Sequence, residues 1–159
     1  MKRRMNWKMW LAAVALPLVV GGLSALGSRS GMEVFQTLQK PAGTPPAWLF
    51  PIVWSILFVL MGSASGLVWK ADAPEEVRQT ALVAYGAQLL INFFWPLLFF
   101  TLQQYLPAFL WLVLLWLLIA VTLVLFWSVS RIAGILLIPY LLWVTYAGYL
   151  NFGVYRLNS

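Results

Sequence analysis

The chain has 159 residues, of which 63% are hydrophobic and 9% charged, against the roughly 25% charge of an ordinary soluble domain, so water is not its main solvent. It contains no histidine and no cysteine, which excludes imidazole bases, thiolate nucleophiles, disulfides, zinc sites and His- or Cys-ligated haem. The net charge of +6 sits at segment ends with no basic helix face, the pattern of membrane-orienting flanks and not of a nucleic-acid surface.

Apolar runs broken by polar, Pro or Gly clusters predict five spans near 7–26, 47–69, 79–100, 107–127 and 132–154, in one all-α integral membrane domain, a five-helix bundle over 1–159. The first span follows Lys2, Arg3, Arg4 and Lys8. Its apolar run is longer than the roughly 7 to 15 residues of a signal core, and this, with the family resemblance given below, has it read as a helix of the protein. The connection 27–46 holds Arg29, Glu33, Lys40, Pro41, Pro45 and Pro46 and cannot continue a helix. An extended surface loop is expected there, with one short helical turn around 33–38. The connection 70–79 carries Asp72, Pro74, Glu75, Glu76 and Arg78, a charged turn whose proline and acids suit the start of the third span. The fourth span is expected to begin at Pro107, and a short turn at 128–131 leads into the fifth.

An odd number of spans puts the two ends on opposite faces. With the N-terminus in the cytoplasm, that side receives Lys2, Arg3, Arg4, Lys8, Lys70, Arg78 and Arg131, against Arg29, Lys40 and Arg156 outside. Seven against three predicts N-terminus in and C-terminus out, in a bacterial cytoplasmic membrane.

All four acids fall in loops, so no carboxylate lies at mid-membrane to carry a proton, which disfavours an ion-driven pump or efflux transporter. The spans carry neutral polarity instead. Gln88, Asn92 and Trp95 share one stripe of the third span; Tyr140, Trp143, Ala147, Leu150 and Asn151 share one of the fifth; Pro51, Trp54 and Phe58 share one of the second. An unpaired amide in hydrocarbon costs about 2 to 7 kcal/mol, so these stripes are expected to face inward and converge on an aromatic interior, the usual lining of a ligand pocket. The competing reading is interfacial tryptophan and interhelical amide bonding. Trp54 and Trp143 lie further from span ends than Trp48, Trp69 or Trp127 and escape it better. Gly62 and Gly66 form a small-xxx-small step, expected to serve packing within the chain more than a dimer contact.

The ordered set Leu38, Lys40, Pro41, Pro45, Pro46, Trp48, Phe50, Pro51, Trp54, Leu57, Met61 and Gly62 resembles the translocator protein or tryptophan-rich sensory protein family (TspO/MBR, peripheral-type benzodiazepine receptors). The resemblance continues through Gln88, Leu89, Asn92, Trp95, Phe99 and Phe100, and through Pro139, Tyr140, Trp143, Ala147, Leu150 and Asn151. It implies a five-helix bundle that commonly forms homodimers and binds porphyrins such as protoporphyrin IX, under a roof made by the first loop. The ligand residues so implied, with the stripes above, are Phe35, Pro45, Trp54, Phe58, Gln88, Asn92, Trp95, Trp143, Ala147 and Leu150. No metal site, resident cofactor or nucleic-acid partner is implied; the partners are a porphyrin-type molecule and membrane lipid.

The chain departs from the family pattern where Val34 and Phe35 replace a usual Trp-Tyr, Gly43 replaces a Trp, and Phe58 replaces a Tyr. The C-terminal sterol pattern is also poor, with Phe152 at the expected Tyr and Tyr155 abutting Arg156. Three functions follow as expectations. The first is a tetrapyrrole-binding sensor, carrier or regulator. The second is light-dependent porphyrin breakdown beside a pocket indole, and the third a membrane scaffold indifferent to porphyrin.

Overall fold

The computed structural model describes residues 4–159; Lys2 and Arg3, which entered the orientation argument, lie outside the described residues. In chain order the elements are α1 (Trp7–Gly27), α2 (Gly31–Thr37), α3 (Leu49–Lys70), α4 (Glu75–Pro96), a π-helical turn (Leu97–Thr101), α5 (Tyr105–Val129) and α6 (Arg131–Asn158), with no strand among the described residues. Five helices are long and apolar enough to cross a membrane, the shortest having 21 residues. At 1.5 Å per residue that one is roughly 31 Å long, the thickness of a bilayer's hydrocarbon layer.

Exposure runs opposite to that of a water-soluble protein. Leu11, Val83 and Leu142 are 61%, 72% and 64% exposed, whereas Gln88, Asn92 and Asn151 are buried. Only a solvent without hydrogen bonds favours that arrangement, so the expected integral membrane bundle is what forms.

The long helices close a ring in the order α1, α3, α6, α5, α4, with each packed on the next and α4 returning to α1. Asn6 caps α1 by accepting from Met9 N at 2.9 Å, and Ser130 caps α6 by accepting from Ala133 N at 3.4 Å. The α1–α3 seam depends on Gly62, where a Cβ would stand 2.5 Å from the Ala13 carbonyl oxygen, while Gly66 seats the Trp10 ring. The small-residue step is therefore used inside the chain, to let two backbones touch.

Several boundaries differ from those read in the sequence. α4 begins at Glu75, four residues earlier than expected, with Pro74 preceding it and Glu75 and Glu76 in its first turn. Acids there complement the helix dipole, so the turn before it is shorter than its charge suggested. α5 starts at Tyr105 and carries Pro107 inside its first turn. α6 continues to Asn158 because its last turn is held by loop contacts and not by apolar burial.

Those contacts strap the segment 38–46 to α6. The Asn158 side chain donates to the Gln39 carbonyl at 2.8 Å and accepts from Gln39 N at 3.1 Å. Tyr149 donates to the Ala42 carbonyl at 2.7 Å, and the Tyr146 hydroxyl donates to the Gly43 carbonyl. Gly43 has φ 86°, a left-handed backbone that a tryptophan at this position would hold only under strain. Asn158→Ala removes both Gln39 bonds and is expected to cost about 1 kcal/mol locally. Hydrogen exchange at the Gln39 amide should accelerate with the overall melting temperature nearly unchanged; unaltered protection would mean that the clasp does not hold the loop.

Candidate functional site: an aromatic cavity under α2

The three stripes read from the sequence meet near the end of the bundle remote from the N-terminus. They bound a cavity of about 250 Å³ with α2 across its top. Trp54 and Phe58 come from α3, Asn92 and Trp95 from α4, and Trp143, Ala147 and Leu150 from α6, while Phe35 of α2 closes the top. Eight of the ten expected site residues thus share one void. The other two do not line it. Gln88 lies one helical turn below Asn92, and Pro45 sits in the strapped loop, where Pro46 begins the turn into α3 through Leu49 N to Pro46 O at 3.0 Å.

Gln88 supports the cavity floor from beneath. Tyr140 donates its hydroxyl proton to Gln88 Oε1 at 2.6 Å and accepts from Asn92 Nδ2 at 2.6 Å, so one phenol orients both amides. Trp95 is held by its Nε1, which donates to Asn151 Oδ1 at 3.0 Å, and Asn151 Nδ2 donates in turn to the Tyr105 carbonyl at 2.8 Å. Two polar groups beside the void have unused hydrogen-bonding capacity. The Asn92 amide spends its Nδ2 on Tyr140 and retains its carbonyl oxygen as an acceptor, and Trp143 Nε1 is buried with no hydrogen-bond partner. A buried donor left unpaired costs about 1–3 kcal/mol.

Around these groups the rings meet mostly edge to face. Phe50 lies 5.9 Å from Trp143 and Trp54 lies 5.6 Å from Phe58, centroid to centroid, while Trp95 stacks on Phe99 at 5.3 Å. Phe35 is wedged at 5.8 Å from Phe99 and 5.5 Å from Phe100. Phenylalanine at position 35 thus meets Phe99 and Phe100 through ring contacts alone.

The π-helical turn that carries Phe99 and Phe100 arises at Pro96. Proline has no N–H to give the Asn92 carbonyl, and the next amide, Leu97 N–H, goes to Phe94 O. The Phe93 carbonyl takes the Ser24 hydroxyl at 2.6 Å instead, and Leu102 N bonds Leu97 O at 2.9 Å, five residues back. The widened turn aims Phe99 and Phe100 at the cavity.

The α1 wall was missed in the sequence. Gly21, Ser24, Ala25 and Ser28 line the void, and their spacing of i, i+3, i+4 and i+7 is a stripe of small residues that could have been read. The tryptophans at the margins behave as expected, with Trp7 and Trp48 at 70% and 66% exposed.

Residues 13–156 match the model of the TspO/MBR family. The chain is 42% identical over 124 residues to the protein CrtK of Rhodobacter capsulatus, covering 78% of each. It is 34% identical to a tryptophan-rich sensory protein of Cereibacter sphaeroides, over 97% of this chain and 94% of that one. With the human translocator protein the identity is 36%, over 94% of this chain and 91% of the other. A match running from the first span into the last, with relatives aligned over nearly their whole length, means that this chain belongs to the TspO/MBR family.

Proposed function

We propose that the cavity receives a flat, largely apolar ring ligand, a porphyrin or related tetrapyrrole such as protoporphyrin IX, and that the protein acts as its sensor, carrier or regulator. The observation that carries this reading is a wall of indole and phenyl rings, Trp54, Trp95 and Trp143 among them, with one placed acceptor, the Asn92 side-chain oxygen. Ring faces supply stacking, and the Asn92 side-chain oxygen fixes orientation. At about 250 Å³ the void falls just under the roughly 300–1,000 Å³ of pockets for drug-sized ligands. A macrocycle therefore enters by displacing α2 or inserts one edge. Exposed Arg29 and partly exposed Lys40, whose Nζ sits 5.1 Å from the Phe35 ring centroid, are placed to pair with carboxylates left outside.

The orientation we propose is N-terminus in the cytoplasm, C-terminus outside, in a bacterial cytoplasmic membrane. Its support among the described residues is Arg4, Lys8, Lys70, Arg78 and Arg131 at one end against Arg29, Lys40 and Arg156 at the other.

Titration of the purified protein with protoporphyrin IX in the dark is expected to quench tryptophan fluorescence. Replacing Trp54 and Trp143 together by leucine removes two aromatic contacts of about 1 kcal/mol each, so affinity should fall roughly thirtyfold. Unchanged affinity in that variant would remove the site. Illumination of the same samples separates binding from breakdown: a new absorbing product formed only in light, and lost with Trp143→Leu, would make the protein an enzyme.

A further inference from the structure

The bundle contains a second, larger void at its opposite end, and it belongs to a gap between α1 and α4. These helices are joined near the C-terminus of α1, where Ser24 donates to the Phe93 carbonyl at 2.6 Å and Thr101 donates to the Gly27 carbonyl at 2.9 Å. Toward the N-terminus of α1 they stand apart. A cavity of about 470 Å³ lies there, reaching from Met5 and Trp69 at one end to Leu16 and Leu89 at the other. A Cβ placed on Gly86, in its α4 wall, would meet no atom within 4 Å. Leu16 lines the gap and is still 53% exposed, so the void opens sideways, toward the acyl chains around the bundle.

Three features identify what fills it. First, the gap runs along α1 from its first residue, Trp7, with Met5 just ahead of it, to Leu16, roughly 14 Å of helix rise, close to the hydrocarbon depth of one leaflet. Second, the lining is apolar and includes two flexible methionines, Met5 and Met9, suited to a guest without fixed shape. Third, the mouth is basic: Arg4 and Lys8 are exposed beside it, and the Lys70 ammonium stands 5.6 Å from the Trp10 ring centroid. The acids at this end are Asp72, Glu75 and Glu76, of which Glu75 is bound by Arg78, against the bases Arg4, Lys8, Lys70, Arg78 and Arg131. Juxtamembrane bases of this kind draw anionic head groups.

We propose that the gap between α1 and α4 is a binding site for a phospholipid with an anionic head group, one acyl chain lying in the cavity and the phosphate held by Arg4, Lys8 and Lys70. This site is separate from the aromatic cavity and does not depend on what that cavity binds.

The test reconstitutes the full chain in vesicles containing equal amounts of phosphatidylglycerol and phosphatidylcholine, re-extracts it, and counts retained lipids by native mass spectrometry. One phosphatidylglycerol per chain is expected, favoured over phosphatidylcholine roughly tenfold or more for two or three bases. Gly86→Leu fills open space and should abolish retention while leaving the melting temperature unchanged or raised. Replacing Arg4, Lys8 and Lys70 together by Gln should retain both lipids equally, and an undiminished preference for phosphatidylglycerol in that variant would overturn the basic mouth. Tyr85→Phe removes a buried hydroxyl beside the cavity whose one polar neighbour is Ser65, and should leave lipid retention unchanged, because an acyl chain offers no acceptor. Equal retention of both lipids by the unaltered chain, full retention by Gly86→Leu, or loss of retention with Tyr85→Phe would each overturn the proposal.

Discussion

Tyr140→Phe is expected to destabilise the protein by about 2–6 kcal/mol, although it deletes one oxygen. The Tyr140 hydroxyl accepts from Asn92 Nδ2 and donates to Gln88 Oε1, each at 2.6 Å, and all three residues are buried. Without it a donor and an acceptor are stranded inside the bundle, each at about 1–3 kcal/mol. Tyr85→Phe is the matched control. Its buried hydroxyl makes no hydrogen bond of good geometry and has only the Ser65 hydroxyl as a polar neighbour, whose proton goes to the Gly62 carbonyl at 2.7 Å, so its removal should cost at most about 1 kcal/mol. Denaturation of both variants in detergent reads the contrast directly. Equal stability of the two would mean that the phenol does not hold the amides. The same loss frees the Asn92 side chain to turn, so porphyrin affinity should drop in parallel with stability.

Gly31→Val is expected to open the cavity without unfolding the spans. A Cβ at Gly31 would lie 2.0 Å from the Phe100 carbonyl oxygen and 2.3 Å from its carbon, and backbone atoms cannot rotate out of the way. α2 must leave, taking Phe35 from between Phe99 and Phe100. Burying a phenylalanine contributes about 1.5–3 kcal/mol, so the closed population should fall on the order of a hundredfold. The readouts are faster proteolysis within 28–46 and faster release of bound porphyrin, with the melting of the five spans little changed. Gly22→Val, where a Cβ meets nothing within 4 Å, should leave both rates alone. Unaltered cleavage of Gly31→Val would show that α2 is not docked through this contact.

These expectations divide according to the information each needs. The number of spans was legible in the sequence because hydrocarbon thickness sets a length and tolerates no unpaired backbone, so about 20 apolar residues report a helix on their own. The facing of Trp54, Asn92 and Trp143 was legible for a related reason: an amide in lipid is costly, and helical periodicity then assigns its neighbours to the same side. The stripe Gly21, Ser24, Ala25 and Ser28 was harder to read, since small residues carry no polarity signal and gain meaning only from what packs against them. Helix ends made of polar residues were misread where loop contacts extended them, as at Asn158.

Tertiary structure alone decided three things. It set Gln88 beneath the cavity and not in its wall, because the Tyr140 phenol from another helix reached between the two amides. It turned the chain at Pro96 into a π-helical turn, because the Ser24 hydroxyl on α1 was positioned to take the carbonyl that the helix released. And it joined α1 to α4 at one end while leaving a gap at the other, which no periodicity encodes. A sequence records which side of a helix is costly to expose, since that cost is local. Where two helices touch and where they part depends on the fit of both surfaces at once, and that is settled only when the chain is packed.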